Sequence, residues 1–378
     1  MDGGAATQQI KNGASPRENK RLVVLDGLRG VAAFGVICDH VFSETFRLLT
    51  PGRYLAVDFF WVLSGFVLAL AYDERLKGGS TQQMSTIAFM RARLIRFYPL
   101  YLLGLLIAVL PALYGSVKGW GPQTAPELLL VAGVGLLFVP FPPVSAWTGE
   151  QLFPFNGPTW TLFFELIANL LYAVFARFLT WRAFAFLLPV TAILVMLIVP
   201  QHVAGAGWQW PDIDAGLVRV IYCFFAGVFI FRLRAVVRIP AIPAWLAFAV
   251  YLAIIGCPTP DAWRSAYNVA ATLVFMPLLV AFAAGARVSG WAARLCVLMG
   301  MLSYGVYVVH VPIFKILSLA AVHLPFETPG YAMVLVVALT AGVVTWVADK
   351  YYDVPARVWL SQKFSRSKRL VLSAGRRG

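Results

Sequence analysis

What most constrains this chain is a succession of apolar stretches, each near the length that crosses a bilayer, running from residue 22 to residue 348. They fall at 22–48, 54–72, 96–114, 126–140, 158–179, 183–200, 215–232, 242–257, 265–286, 298–320 and 329–348. A helix rises 1.5 Å per residue, so about 20 apolar residues span a hydrocarbon core roughly 30 Å thick. With 60% of its 378 residues hydrophobic and only 13% charged, the chain is unlike a soluble domain. It reads as an all-α, polytopic transmembrane bundle. The net charge of +14 does not point to nucleic acid, because no soluble basic fold is available to bind it. Lysine and arginine gather in tails and short loops, where they orient the spans. Four cysteines (Cys38, Cys223, Cys257, Cys296) have no metal-ligand spacing, and no metal is expected.

Charge also counts the spans. Lys11, Arg17, Lys20 and Arg21 precede the first stretch, and eight Lys/Arg follow from Lys350 onward against Asp353 alone. Both ends are expected in the cytoplasm, which requires an even number of crossings. Arg75, Lys77, Arg91, Arg93 and Arg96 place the second connection inside, as do Arg177 and Arg182 the later one. Only two of the three stretches between them can cross. The weakest is 126–140, which starts at Pro126, ends at Pro140 and contains Gly133 and Gly135. It is expected to be a re-entrant or outer-face helix, leaving about ten spans. Arg232, Arg234 and Arg238 then fall inside, and Asp212 and Asp214 outside. The expected organisation is a disordered cytoplasmic tail over 1–20, a transmembrane domain over 21–352 and a basic cytoplasmic tail over 353–378. The first residues do not read as a signal peptide. No internal repeat is evident, which argues against a symmetric transporter.

Polar residues at membrane depth mark function, because a buried charge costs roughly 2.5–3.5 kcal/mol on insertion scales. Asp26, Arg29 and His40 share one face of the first helix: eleven residues bring Arg29 and His40 nearly into line after about three turns. Interface charges plus one core histidine would give the same pattern. Arg93 and Arg96 are three apart with Arg91 beside them, an arrangement suited to phosphate or to simple anchoring at the inner surface. Glu165, about two turns into its span, suits proton transfer or pairing with an arginine such as Arg29. Ser64 and Gly65 suit helix packing. Ser303, Tyr304, Tyr307 and His310 follow one another along a late span and, with the others, suggest a polar chamber inside the bundle.

Taken in order, these motifs resemble the acyltransferase-3 family of integral membrane O-acyltransferases. The residues that carry the resemblance are Leu25-Asp-Gly-Leu-Arg-Gly30 with His40, Phe60-Trp-Val-Leu-Ser-Gly-Phe66, Arg93-Leu-Ile-Arg96 with Tyr98-Pro99, Trp160-Thr-Leu162 with Glu165, and Ser303-Tyr304 with Tyr307 and His310. The resemblance implies that Arg29 and His40 are an essential pair and that Arg93 and Arg96 face an acyl-CoA donor. Where family members often carry Glu two residues before a late Pro, this chain has Asp353-Val-Pro355. The extracytoplasmic hydrolase-like domain of some relatives is not expected here.

Together these readings lead to an expected activity at the cell (inner) membrane. An acyl group, acetyl first, passes from cytoplasmic acyl-CoA to a hydroxyl of a carbohydrate or lipid-linked carbohydrate. His40 is the expected base or acyl carrier, Arg29 orients donor or charge, and Glu165 assists. Arg91, Arg93 and Arg96 hold the donor, and Asp26, Ser64, Tyr304, Tyr307 and His310 line the chamber. Membrane lipids surround it, and nucleic acid is not a partner. The alternatives are a flippase for a lipid-linked sugar without chemistry of its own, or the same transfer to a macrolide-type metabolite or peptidoglycan. Loops 141–157 and 201–214 are expected to shape the acceptor.

Overall fold

A computed structural model describes residues 22–41, 48–78, 83–119, 124–144, 148–322 and 329–374, the last ten as backbone. The N-terminal tail expected over 1–20 lies outside the described residues. Among the described residues each apolar stretch contains a helix: α1 Val23–His40, α2 Ala56–Lys77, α3 Thr86–Val117, α4 Ala125–Leu136, α5 Thr159–Phe175, α6 Trp181–Ile198, α7 Ile213–Val236, α8 Ala244–Gly256, α9 Asp261–Ala283, α10 Gly290–Ala321 and α11 Gly330–Ala348. A π turn, Asp349–Asp353, leads from α11 into α12, Val354–Ala374.

Seven of these helices are long and apolar enough to cross a membrane. The difference from about ten expected spans lies in α1, α5 and α8. Helix α1 carries Asp26, Arg29 and Asp39. Helix α5 has 17 residues, and α8 has 13, held between Pro243 and Pro258. At 1.5 Å per residue α8 reaches only about 20 Å. Helix α4, at 12 residues, is shorter still. Its start carries a capping box: Glu127 Oε2 accepts from Thr124 N at 2.9 Å, and Thr124 Oγ1 accepts from Glu127 N at 3.4 Å. At its end, Tyr98 and Tyr101 of α3 donate to the carbonyls of Leu136 (2.9 Å) and Gly135 (2.5 Å). The Gly135 carbonyl also accepts from Phe138 N at 2.9 Å, so the tyrosines tie the end of this short helix to α3.

Helices α2 and α7 approach each other closely. Gly65 and Gly227 face each other's helices so closely that a Cβ at Gly65 would strike the Phe224 carbonyl, and one at Gly227 that of Val62. Such small residues let two backbones approach inside a membrane. Buried ion pairs fasten both ends. Arg219 Nε and Nη2 each lie 3.0 Å from Asp58. Arg232 Nη2 lies 2.6 Å from Asp73, which also meets Lys77 at 2.6 Å and the Tyr172 hydroxyl at 2.8 Å.

Helix α1 runs against α10, where Asp26 fills the space a side chain at Gly300 would occupy. On one side of the bundle the segments around 141–152 and 208–210 are joined by backbone. Phe141 N donates to Leu152 O (2.8 Å), Leu152 N to Trp208 O (3.0 Å) and Trp210 N to Glu150 O (2.9 Å). The two loops expected to shape the acceptor are thus one structure.

Candidate active site

Five helices, α1, α2, α3, α5 and α10, leave a cavity of about 220 Å³ between them. Its wall is apolar (Phe60, Trp61, Leu63, Phe97, Leu162) except for three cations, Arg29, Arg93 and Arg96, one carboxylate, Glu165, and the hydroxyls of Ser64, Thr161, Ser303, Tyr304 and Tyr307.

The arginines come mainly from the first turns of α3. That helix begins ten residues before the apolar stretch, capped by Ser85, whose Oγ accepts from Ala88 N at 3.2 Å. The basic segment is therefore helix rather than loop, and the three-residue step puts Arg93 and Arg96 on one side. Arg93 stacks over Phe97 at 4.6 Å and places Nη2 3.3 Å from Glu165 Oε1, while its Nε has no hydrogen-bond partner. Arg96 stacks over Tyr304 at 5.0 Å and reaches Asp353 only at 3.9 Å. Its side chain is 36% exposed, against 13% for Arg93, so Arg96 offers the more accessible guanidinium. Arg91 turns away from the cavity and lies over Phe364 at 5.4 Å.

Glu165 does pair with an arginine, but with Arg93 rather than Arg29, and Ser64 donates to the same carboxylate oxygen. Arg29 is held by α10: Nε donates to Ser303 Oγ at 2.8 Å and Nη2 to the Gly300 carbonyl, with Asp26 at 3.4 Å behind it. Asp26 thus backs Arg29 instead of lining the wall. Tyr304 donates to the Phe97 carbonyl at 2.7 Å, and the Tyr307 hydroxyl is 2.6 Å from Thr161 Oγ1.

His40 and His310 lie beyond this wall and against each other. His310 Nε2 is 3.2 Å from His40 Nδ1, which is also 2.9 Å from the Val36 carbonyl. His310 is fully buried, and its Nδ1 lies 2.7 Å from the Tyr307 carbonyl. Tyr307 therefore joins the two regions, with its ring in the cavity wall and its carbonyl on the histidine pair. The alignment of Arg29 with His40 on one helix face does not make them neighbours. Eleven residues separate them by roughly 16 Å along the axis.

Thr161 is the wall residue that sequence reasoning passed over. It stands inside the Trp160-Thr-Leu162 motif, and that position was the available clue. Asp58, Asp73 and Arg219 were also missed, because an acid and a base far apart in sequence give no local pattern.

Chemically, the wall offers an excess of fixed guanidiniums in a low-dielectric site, which favours an anionic group. Its hydroxyls, and the imidazole pair beyond the wall behind Tyr307, are suited to moving a proton. Among the described residues, no three His, Cys, Asp or Glu side chains gather as a metal site.

Comparison with known proteins agrees with this architecture. Residues 22–348 match the acyltransferase domain family numbered 3 among the acyltransferase families. Protein 2 in the picA locus of Rhizobium radiobacter is 37% identical over 193 residues, which is 48% of this chain and 96% of that protein. Acyltransferase MdmB of Streptomyces mycarofaciens is 31% identical over 175 residues, 42% of this chain but only 40% of that enzyme. No solved structure matches. Since the family match runs through every helix that contributes to the cavity, the chain belongs to the acyltransferase-3 family.

Proposed function

We propose that this multi-pass membrane protein moves an acetyl group from cytoplasmic acetyl-CoA to a hydroxyl of a carbohydrate or lipid-linked carbohydrate. This makes it an acyltransferase for groups other than aminoacyl, placed in the inner membrane with both ends in the cytoplasm. One observation carries the reading: Arg29, Arg93 and Arg96 line a single cavity against one carboxylate, Glu165.

The arginines act first. Arg96, the most exposed of them, takes the phosphate-bearing end of the donor, where a planar guanidinium grips oxygens in pairs. The thioester arm extends along the apolar wall towards Tyr307. Arg29, fixed by Ser303 and Gly300, orients the donor along the wall.

At the far end His40 takes the proton of the acceptor hydroxyl as that oxygen bonds to the thioester carbonyl carbon. The carbon–sulfur bond then breaks, and the leaving thiolate takes the proton back from His40. The products are the ester and free CoA thiol. Glu165 sits between Ser64 and Arg93 and keeps Arg93 oriented in the wall.

The test is transfer of label. Purified protein, radiolabelled acetyl-CoA and native membranes as acceptor should give alkali-labile label in the glycan or lipid-linked fraction. Folded protein that binds acetyl-CoA yet transfers nothing under these conditions would overturn the reading and favour a flippase.

A further inference from the structure

We propose that His310 is a positioning residue that, together with the Val36 carbonyl, fixes the tautomer of His40, holding a proton on Nδ1 and leaving Nε2 bare to work as the base. The proposal rests on the reading of His40 as the base, and it follows from where each ring nitrogen points.

A carbonyl oxygen only accepts. His310 Nδ1, at 2.7 Å from the Tyr307 carbonyl, must therefore carry a hydrogen. The ring is fully buried, and among the described residues its bonds go to the backbone of Tyr307 and Val306 and to His40, with no carboxylate. The neutral ring satisfies these contacts, so His310 Nε2 is a bare acceptor. His40 Nδ1 then lies between two acceptors, the Val36 carbonyl at 2.9 Å and His310 Nε2 at 3.2 Å. Only a protonated Nδ1 suits that place. A neutral ring protonated there has its lone pair on Nε2.

The opposite tautomer would set the His40 lone pair against two others inside the bundle. The rings meet edge to face at 69°, with centroids 4.9 Å apart, so the contact is made through ring edges rather than by stacking. When His40 takes a proton, the added charge is met by the same two acceptors through Nδ1–H. The arrangement thus supports the base both before and after proton transfer. His40 itself is only partly buried.

The chain has four histidines, so the prediction can be read directly. Nitrogen-15 spectra of histidine-labelled full-length protein in bilayers, assigned with His202→Gln and His323→Gln, should show His40 and His310 both protonated at Nδ1 and bare at Nε2. A wild-type His40 protonated at Nε2 overturns the proposal, whatever the activity.

Kinetics supply a second arm. His310→Leu should lower kcat on the order of tenfold, about one lost hydrogen bond, with KM for acetyl-CoA unchanged. His310→Gln can still present an acceptor to His40 and should recover part of the rate. His310→Asn is shorter, can satisfy only Tyr307 and should not. Equal behaviour of Gln and Asn, or an unaltered kcat in His310→Leu, would leave His310 as packing and refute the role. Should His40→Ala retain full transfer, the base itself fails; the spectra still judge the tautomer separately.

Discussion

The α2–α7 seam and the cavity both bury arginines, yet they use them differently. At the seam, Arg219 and Arg232 spend their donors within the protein. Arg219 bonds both Asp58 oxygens and the Ala206 carbonyl, and Arg232 bonds Asp73 and the carbonyls of Leu179 and Ala176. In the cavity, Arg93 leaves Nε without a partner and Arg96 meets its nearest carboxylate only at 3.9 Å. A satisfied buried arginine holds helices together, whereas Arg96, partly exposed beside the cavity and without a close carboxylate, is available to a ligand. Arg29, bonded to Ser303 and Gly300 yet in the wall, shows that a place beside the cavity counts as well as the state of the bonds.

The largest effect should come from breaking the seam. Arg232→Ala leaves the Asp73 carboxylate without its main partner, and losing one member of a buried pair costs about 3–5 kcal/mol. Folded protein recovered in detergent should collapse. The double change Asp73→Leu with Arg232→Met should be milder than either single substitution, because paired removal leaves no lone charge. If Arg232→Ala instead folds normally and loses only transfer, the comparison fails.

Next in size is His40→Ala. Loss of a general base lowers rate by about 10²–10⁴-fold, with folded protein and acetyl-CoA binding unchanged. A variant that misfolds would put His40 on the structural side of the divide.

The sequence carries the helices and the cavity wall unequally. All eleven stretches are legible because hydrophobic length is a local property, and so are the ends of α4, written in Thr124, Pro126 and Glu127. The shortness of α8 was also available in its flanking prolines, but a hydropathy reading passes over it. Arg29, Arg93, Arg96, Ser64, Glu165, Ser303, Tyr304 and Tyr307 were found through local motifs, and all of them line one cavity. What sequence could not supply is which partners they choose. The Glu165–Arg93 contact, the Asp58–Arg219 pair and the depth of His40 beyond the wall depend on how helices pack, and a helical wheel gives angle without height. Arg91, two residues from Arg93, faces elsewhere for the same reason, since 200° of rotation separates them.

The smallest effect should follow Arg264→Ala. Its partner Asp261 is 96% exposed and one helical turn away, and pairs of this kind contribute little that can be measured. Stability and transfer should stay at the wild-type level. A clear loss of transfer would show that the second polar cavity, which Arg264 lines with Tyr54 and Asn268, takes part in the reaction.

The most direct test of the central claim, that the cavity arginines hold the donor, is the affinity of correctly inserted Arg96→Ala for acetyl-CoA, measured beside Arg96→Lys and wild type. Loss of one charge-assisted contact should weaken binding about tenfold or more, with Lys restoring only part because it lacks the planar fork. Wild-type affinity in Arg96→Ala would contradict the account and place the donor elsewhere.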